Sequence, residues 1–363
     1  MRIGVSSYWF NRGQAVVGRH LRSALDALGH ETSVLARPSK ETAAKPGLIE
    51  RGDVWDQPGV TEASHYLIPA EEMERWARER ELEVVFFDQN YQFDEIARLR
   101  DLGIRTIGRF VWEQFAPEHV EGARRAFDVV YSLLECERER YATLGIASPR
   151  VRWGCHPELL EAADRLAGDG SADGSVRFYF PGGYMTKRKP LKPTLDAFRA
   201  AKGKNLRLVL KAQVERRQNL VQRAARKDKR IEPIFEDLPT AEHHRLLASV
   251  DAFLAPSRWE GLGLHLYEAA AFGLPVITND NPPMNEVVVD GENGLLVPGI
   301  EADEPAPSGI PAYDPDVNAL TSAIERVADD GYRRELVEGT AHARERLAWS
   351  NTLADLRALL ERG

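Results

Sequence analysis

The sequence has 363 residues, of which 43% are hydrophobic and 29% charged, with a formal net charge of -8. A chain of that length exceeds one ordinary core and implies two α/β domains. Its acidic balance argues against nucleic acid as a partner, and the two cysteines, Cys136 and Cys155, build neither a disulfide framework nor a zinc cluster. A reducing cytoplasm is the expected compartment. The apolar run near the N-terminus is too short for a signal peptide, and nothing approaches the roughly 18 apolar residues of a membrane helix.

In chain order, residues 3–8 read as a buried strand. Asn11-Arg12-Gly13-Gln14 turns into a helix whose apolar positions Val17, Leu21, Ala24, Leu25 and Leu28 recur three and four apart. Gly29-His30 caps that helix, and residues 32–36 form the next strand. Residues 38–60, rich in Pro, Gly and charge, read as a surface loop. Helical patterns at 70–80, 93–102 and 135–144 alternate with strands at 83–87, 105–110 and 129–133. Asp169-Gly170-Ser171-Ala172-Asp173-Gly174 is small, polar and aperiodic, as a linker is. Beyond it, strands at 176–180, 206–210 and 251–255 alternate with helices at 192–201 and 241–249, and a last helix covers about 349–361. This alternation predicts two parallel, doubly wound sheets, in domains 1–168 and 175–344.

Residues 256–277 carry the densest signal: Pro256-Ser257-Arg258-Trp259-Glu260-Gly261-Leu262-Gly263-Leu264, then Glu268, then Gly273-Leu274-Pro275-Val276-Ile277. A buried strand there runs through a glycine-bearing turn into a helix N-terminus, where unpaired N–H groups and a partial positive charge suit a phosphate. Glu260 and Glu268 cannot bind a phosphate, but they accept hydrogen bonds from the hydroxyls of a sugar or ribose. Together these features point to a nucleotide-sugar site. In isolation, a helix-entry residue and a solvated helix charge would explain the two glutamates as well.

The same stretch resembles the signature of retaining family-4 glycosyltransferases, whose GT-B fold sets two Rossmann-like doubly wound domains facing a cleft. Gly29-His30, Val151-Arg152-Trp153-Gly154, Asp290-Gly291-Glu292-Asn293-Gly294-Leu295-Leu296-Val297, Asp314-Pro315-Asp316 with Leu320, and Trp349-Ser350 extend the likeness along nearly the whole chain. The resemblance implies transfer of a hexosyl group from a nucleotide-diphosphate sugar, with a UDP sugar the expected donor. The acceptor would be the hydroxyl of a saccharide, lipid-linked or small molecule. It implies front-face attack with retention, no metal and no other cofactor. Glu260 would hold hydroxyls of the transferred sugar, Glu268 the nucleotide ribose, and the N–H groups of Gly261, Leu262, Gly263 and Leu264 the diphosphate. The helix at 345–363 would pack back on the first domain.

Family members also place an Arg and a Lys five residues apart in the loop after the first strand of the second domain, aimed at the leaving diphosphate. Here Phe180-Pro181-Gly182-Gly183-Tyr184-Met185-Thr186-Lys187-Arg188-Lys189-Pro190 puts Lys189 at the Lys and Tyr184 at the Arg. Lys187, Arg188 or Lys211 is then the expected source of the second charge, beside the Gly183 turn; a solvated basic turn is the plain alternative. Gly13, flanked by Asn11, Arg12 and Gln14, matches the loop that approaches donor phosphate and acceptor, although a need for positive φ would equally call for glycine. His119 and Glu113 lie where the family sets a histidine or carboxylate near the transferred sugar. A surface-loop reading serves both, and His156 is equally open. Arg216-Arg217, Arg223, Arg226-Lys227 and Lys229-Arg230 form a basic segment, read as a solvated helix face or as a contact for phosphate or anionic lipid at a membrane surface. Asp314-Pro315-Asp316 precedes a helix and reads as its N-terminal cap rather than a metal site. Another GT-B enzyme (an inverting transferase, epimerase or phosphorylase) and a non-catalytic sugar-nucleotide binding protein remain as alternatives.

Overall fold

Alternating apolar strands and amphipathic helices resolve into two units, Met1–Trp153 with Ser350–Gly363, and Gly154–Trp349. The computed structural model describes residues 1–43, 45–168, 174–203, 205–213 and 217–362; residues 169–173 of the expected linker and Arg216 of the basic segment lie outside the described residues. No described helix is long and apolar enough to cross a membrane.

The first unit holds a six-stranded parallel sheet in the order β3-β2-β1-β4-β5-β6, with β1 (Arg2–Tyr8), β2 (Glu31–Arg37), β3 (Val60–Glu62), β4 (Val84–Asp88), β5 (Arg105–Arg109) and β6 (Val129–Val130). The second repeats the plan as β12-β11-β10-β7-β8-β9, with β7 (Val176–Gly183), β8 (Leu206–Ala212), β9 (Ile231–Phe235), β10 (Ala252–Leu254), β11 (Val276–Asn279) and β12 (Gly294–Val297). Helices on both faces bury the central strands, and every residue of β4 is buried. Leu35, Val85, Phe87, Ile96, Leu99 and Phe127 fill the first core. Phe178, Phe180, Leu195, Phe198, Leu208, Leu210 and Ile324 fill the second, each large side chain worth about 1.5–3 kcal/mol of burial.

Where sequence and structure differ, backbone pairing gives the reason. The strand expected at 129–133 pairs only over Val129–Val130, because the Leu133 N–H turns to Glu137 Oε2 at 2.6 Å and Ser132 bridges to Arg150 instead. β3 and β9 are partly exposed edge strands with no clear alternation, and β9 carries Pro233, which an edge tolerates. The first unit's leading segment ends at Trp153 rather than 168. Helix Pro157–Arg165 belongs to the second unit, where Leu159 and Ala162 are buried and the Cys155 N–H donates to the Leu347 carbonyl at 2.8 Å. Residues from Ser350 onward belong to the first unit: Arg105 donates to the Leu359 and Leu360 carbonyls at 3.0 and 2.7 Å, and Arg152 forks onto Asp355 at 2.8 and 2.9 Å. The preceding residues do not join them, since helix Asp330–Arg346 lies in the second unit.

At the carboxyl ends of β4 and β5, Arg109 bridges two carboxylates, reaching Asp88 at 3.1 Å and Glu137 at 2.8 Å with all three side chains at most 3% exposed. Burial pushes both carboxyls up in pKa while the guanidinium opposes it. Removing the cation would strand two buried acids. Arg109→Ala is therefore expected to lower the unfolding free energy by about 3–5 kcal/mol, whereas Arg51→Ala, which opens the exposed Arg51–Glu62 pair, changes it by less than about 1 kcal/mol. Urea denaturation of the two variants measures the contrast.

Candidate active site

In the second sheet the winding reverses at β7, which lies between β10 and β8. At such a switch point the loops leaving the carboxyl ends of the two neighbouring strands part, and a crevice opens between them. Those loops are residues 184–190 after β7 and 255–263 after β10. The first is anchored by fully buried Met185 and by Gly182, where a Cβ would stand 2.8 Å from the Lys211 carbonyl oxygen. The second ends at Gly263, whose φ of 73° turns the chain into helix Leu264–Ala271. A backbone bond from the Arg258 N–H to the Arg188 carbonyl, 2.9 Å, ties the loops together. The Arg258 guanidinium forks onto Asp314 at 2.7 and 2.8 Å and holds the second loop from behind.

The two loops meet in a buried charge cluster. Lys189 Nζ donates to Glu260 Oε1 at 2.7 Å and to Ser257 Oγ at 2.9 Å, and the Ser257 hydroxyl donates to the same Glu260 oxygen at 2.8 Å. Arg188 Nη1 stands 3.5 Å from Glu260 Oε2. Lys189 and Glu260 are each 7% exposed at the side chain. Burial alone would raise the Glu260 carboxyl, but the charges of Arg188 and Lys189 hold it far below the usual carboxylate range. Burial lowers the Lys189 amine, with Glu260 opposing and Arg188 reinforcing the shift. Lys189 and Arg188 thus both bear on Glu260, shortly before a helix whose first N–H groups have no intrahelical acceptor. This arrangement suits an anion that carries hydroxyls.

Residues 174–307 match the family described as "Glycosyl transferases group 1". Those residues, under half of the chain, thus resemble a group 1 glycosyltransferase domain. A D-inositol 3-phosphate glycosyltransferase from Acidothermus cellulolyticus is 36% identical over 100 residues, which is 28% of this chain and 19% of that protein. The matched stretches span only between 13% and 19% of the length of the first curated relatives. Solved structures share the fold over the full length. A sucrose-phosphate synthase from Thermosynechococcus elongatus superposes with a TM-score of 0.73 at 18% identity, covering 100% of this chain and 98% of that one. The Anabaena protein HepE in complex with UDP and glucose gives 0.68 at 15% identity, covering 100% of each. The two parallel six-stranded sheets are thus those of the GT-B fold.

Within residues 174–307, Glu268 lies in helix Leu264–Ala271, a quarter exposed, with His243 Nε2 3.6 Å from its Oε1. Burial works against its charge and His243 overcomes it, holding the carboxyl below its usual value. Gly261, Leu262 and Gly263 are buried in the turn and Leu264 is half-buried at the helix start. Gly183, with φ 51°, closes β7, and Lys211 is buried at the carboxyl end of β8, paired in register with Pro181. The structure separates two of the three candidates for the second charge. Lys187 turns away from the cluster and pairs with Glu304, both 68% exposed, so Arg188 is the cation beside Lys189. Tyr184, at the family's Arg position, is 37% exposed. The basic segment also divides: Arg230 is spent on Asp228 and on carbonyls from Phe198 to Gly203, while Arg223, Arg226 and Lys227 lie on the outer face of helix Gln218–Lys227. Asp316 caps helix Val317–Ala328 by accepting from the Ala319 N–H at 2.7 Å.

In the first unit, Gly13 is the opening residue of helix Gly13–Ala27 rather than part of the turn, and it takes no positive φ. Asn11, Arg12 and Gln14 flank it, half-buried. The His119 Nδ1 accepts from the Ala116 N–H at 3.0 Å and its ring packs 4.5 Å from Tyr91, so it serves as a structural cap there, with burial lowering its pKa. Glu113 is buried. His156, in the second unit, caps helix Pro157–Arg165 by accepting from the Glu158 N–H at 3.3 Å.

Three residues of the group 1 domain escape sequence reasoning. Ser257 joins Lys189 to Glu260, His243 orients Glu268, and His265 sits at the second position of helix Leu264–Ala271. Only His265 carried a signal, an ionisable side chain between Leu264 and Leu266 in an otherwise apolar turn.

Because the Glu260 carboxyl is held low in the folded state, the stability it contributes is present above its unfolded value of about 4.3 and drains away as pH falls below that. Between about pH 5 and pH 2.5 the wild type is expected to lose more stability than Glu260→Gln, whose amide does not titrate. Melting temperatures of both proteins across that range measure the effect; parallel curves would contradict it.

Proposed function

We propose that the chain is a retaining glycosyltransferase that moves a hexosyl group from a nucleotide-diphosphate sugar, a UDP sugar in the first instance, to an acceptor hydroxyl. The observation that carries this reading is the buried Lys189–Ser257–Glu260 cluster with Arg188, set at the start of helix Leu264–Ala271 in a group 1 domain. Glu260 accepts from hydroxyls of the transferred sugar, and Glu268 from the ribose. The N–H groups of the Gly261–Leu264 turn, with Lys189 and Arg188, receive the diphosphate, and Lys211 and Gly183 border it. UDP in the complex of the HepE structure supports the choice of nucleotide.

The acceptor oxygen attacks the anomeric carbon on the face from which the diphosphate departs. The new carbon–oxygen bond forms as the bond to the phosphate oxygen breaks, and the acceptor's proton passes to the departing diphosphate. No protein base is needed, so retention follows from geometry alone. The leaving group gains negative charge in the transition state, and each cation aimed at it is worth about 10²–10³ in rate. Because Arg188 stands beside Lys189, Tyr184 at the family's Arg position leaves the cluster with two cations. Two cations and a helix start balance the diphosphate without a divalent metal. His119 and Gly13 belong to the acceptor-side unit in this reading. The acceptor is a saccharide, lipid-linked or small molecule in a cytoplasmic setting, and the exposed Arg223, Arg226 and Lys227 offer contact to an anionic membrane surface.

Thermal shift with UDP, GDP, ADP and their glucose conjugates should show one nucleotide raising the melting temperature clearly above the others, by mass action. With that donor, Lys189→Ala and Glu260→Gln are expected to lose transfer or donor hydrolysis by at least about 10² while retaining the fold by circular dichroism. Full activity in both would overturn the site assignment. Excess chelator is expected to leave the rate unchanged, and NMR of the product should show the donor's anomeric configuration retained. An inverted product would end the front-face reading.

A further inference from the structure

A hairpin outside the main sheet of the second unit grips both loops of the candidate site. Its strands, β13 (Gly299–Glu301) and β14 (Tyr313–Pro315), pair antiparallel. The connection between them is ordered: the Ala302 N–H donates to the Ala312 carbonyl at 2.8 Å and the Ala306 N–H to the Ile310 carbonyl at 3.0 Å, with Ala306, Ile310 and Ala312 buried. Asn279, the last residue of β11, fixes the hairpin to the sheet by donating through Nδ2 to the Tyr313 carbonyl at 2.8 Å. From there the hairpin holds Arg258 twice. Asp314 takes both arms of the guanidinium, and the Tyr313 N–H donates to the Arg258 carbonyl at 3.1 Å. Arg258 passes the constraint on, since its own N–H holds the Arg188 carbonyl at 2.9 Å and Glu260 lies two residues further along the same loop. The cap of helix Val317–Ala328 uses Asp316 and leaves Asp314 to this fork. With side chains 25% and 29% exposed, the Arg258–Asp314 pair fills no core, whereas a two-armed contact fixes orientation.

We propose that Asp314 is a positioning residue for the donor: through Arg258 it sets where Arg188 and Glu260 stand relative to the sugar-bearing phosphate. The inference rests on the donor reading given above. Tyr184 occupies the family's Arg position, so Arg188 serves from a different place in the loop, and the Arg258 N–H pins that place. Glu268, assigned to the ribose, lies in helix Leu264–Ala271 beside His243 and takes no part in this chain of contacts. Loss of Asp314 therefore loosens the sugar-diphosphate end of the site and spares the nucleoside end. The hairpin's other grip, Glu304 on Lys187, joins two side chains that are both 68% exposed and positions nothing.

The test compares the full chain with Asp314→Ala, Asp314→Asn, Asp314→Glu and Glu304→Ala. Calorimetry gives Kd for the mono- and diphosphates of uridine, guanosine and adenosine, and steady-state kinetics follow transfer or hydrolysis of the glucose conjugate of whichever nucleotide binds. Asp314→Ala is expected to lower kcat/KM by about 10²-fold, as misplacement of a reacting group by roughly 1 Å does. It should also weaken the diphosphate, while the monophosphate Kd and the melting temperature stay near wild type. Asp314→Glu, which keeps the carboxylate, should recover part of the rate, and Glu304→Ala should match the wild type. If the alanine variant unfolds, Asp314→Asn gives the same comparison at nearly unchanged shape. Wild-type kcat/KM in the folded variant overturns the inference. So does an equal loss of mono- and diphosphate affinity with a lowered melting temperature, which marks a merely structural role. Either result leaves the donor reading standing. If none of the nucleotides binds the wild type, the donor reading falls and this inference with it.

Discussion

The Lys189–Glu260 pair is the interaction on which the site depends. Both ions are almost fully withdrawn from water, and removing either partner would leave the other a costly buried charge. Its geometry is therefore fixed by hydrogen bonds rather than by charge alone. Ser257 completes a closed three-membered network, the Arg258–Arg188 backbone bond holds the two loops in register, and the Arg258–Asp314 fork braces them from the rear. Burial costs the pair its hydration, and the hydrogen bonds within the network offset part of that loss. The same dry surroundings that make the cluster expensive strengthen every contact it makes with a bound diphosphate.

What brings the pair together is topology. Lys189 and Glu260 are 71 residues apart in the chain, and two intervening β-α passes, through β8 and β9, run to one side of β7 before β10 returns to the other. Only that reversal sets the ends of β7 and β10 side by side. The sheet thus supplies the crevice, the glycines at 182, 183 and 263 supply the close approaches and the left-handed turns, and the side chains supply the chemistry. The first unit repeats the same winding without assembling a comparable charge cluster from its expected residues: His119 and Gly13 are used locally, as a cap and as a helix start.

Most of the fold was legible because it rests on local signals. Apolar runs bounded by Gly, Asp and Asn mark the buried strands, and three-and-four spacing marks the helices that cover them. The signals failed where local pattern and pairing part company: at β3 and β9, which are edges with exposed faces, and at residues 131–133, which look like strand but are drawn off by Glu137. The division between units was also hidden. A small, polar stretch reads as a linker, yet the unit boundary falls at Trp153, where packing of helix Pro157–Arg165 against the second unit decides the matter.

For the site, the sequence by itself determined which residue types were present and in what local order: two glutamates around a glycine turn, a helix start, and a basic loop with Lys189 in the family's place. Those are properties of contiguous chain, and contiguous chain carries them. Tertiary structure alone decided how they combine. Lys187 and Arg188 are neighbours of identical charge, but the backbone turn sends one to Glu304 on the surface and the other to Glu260. Ser257 and His243 gained significance only from what lies across the fold from them. Proximity between distant residues is set by sheet winding and loop geometry, and burial by the packing of the whole unit, so neither can be read from the spacing of the residues concerned.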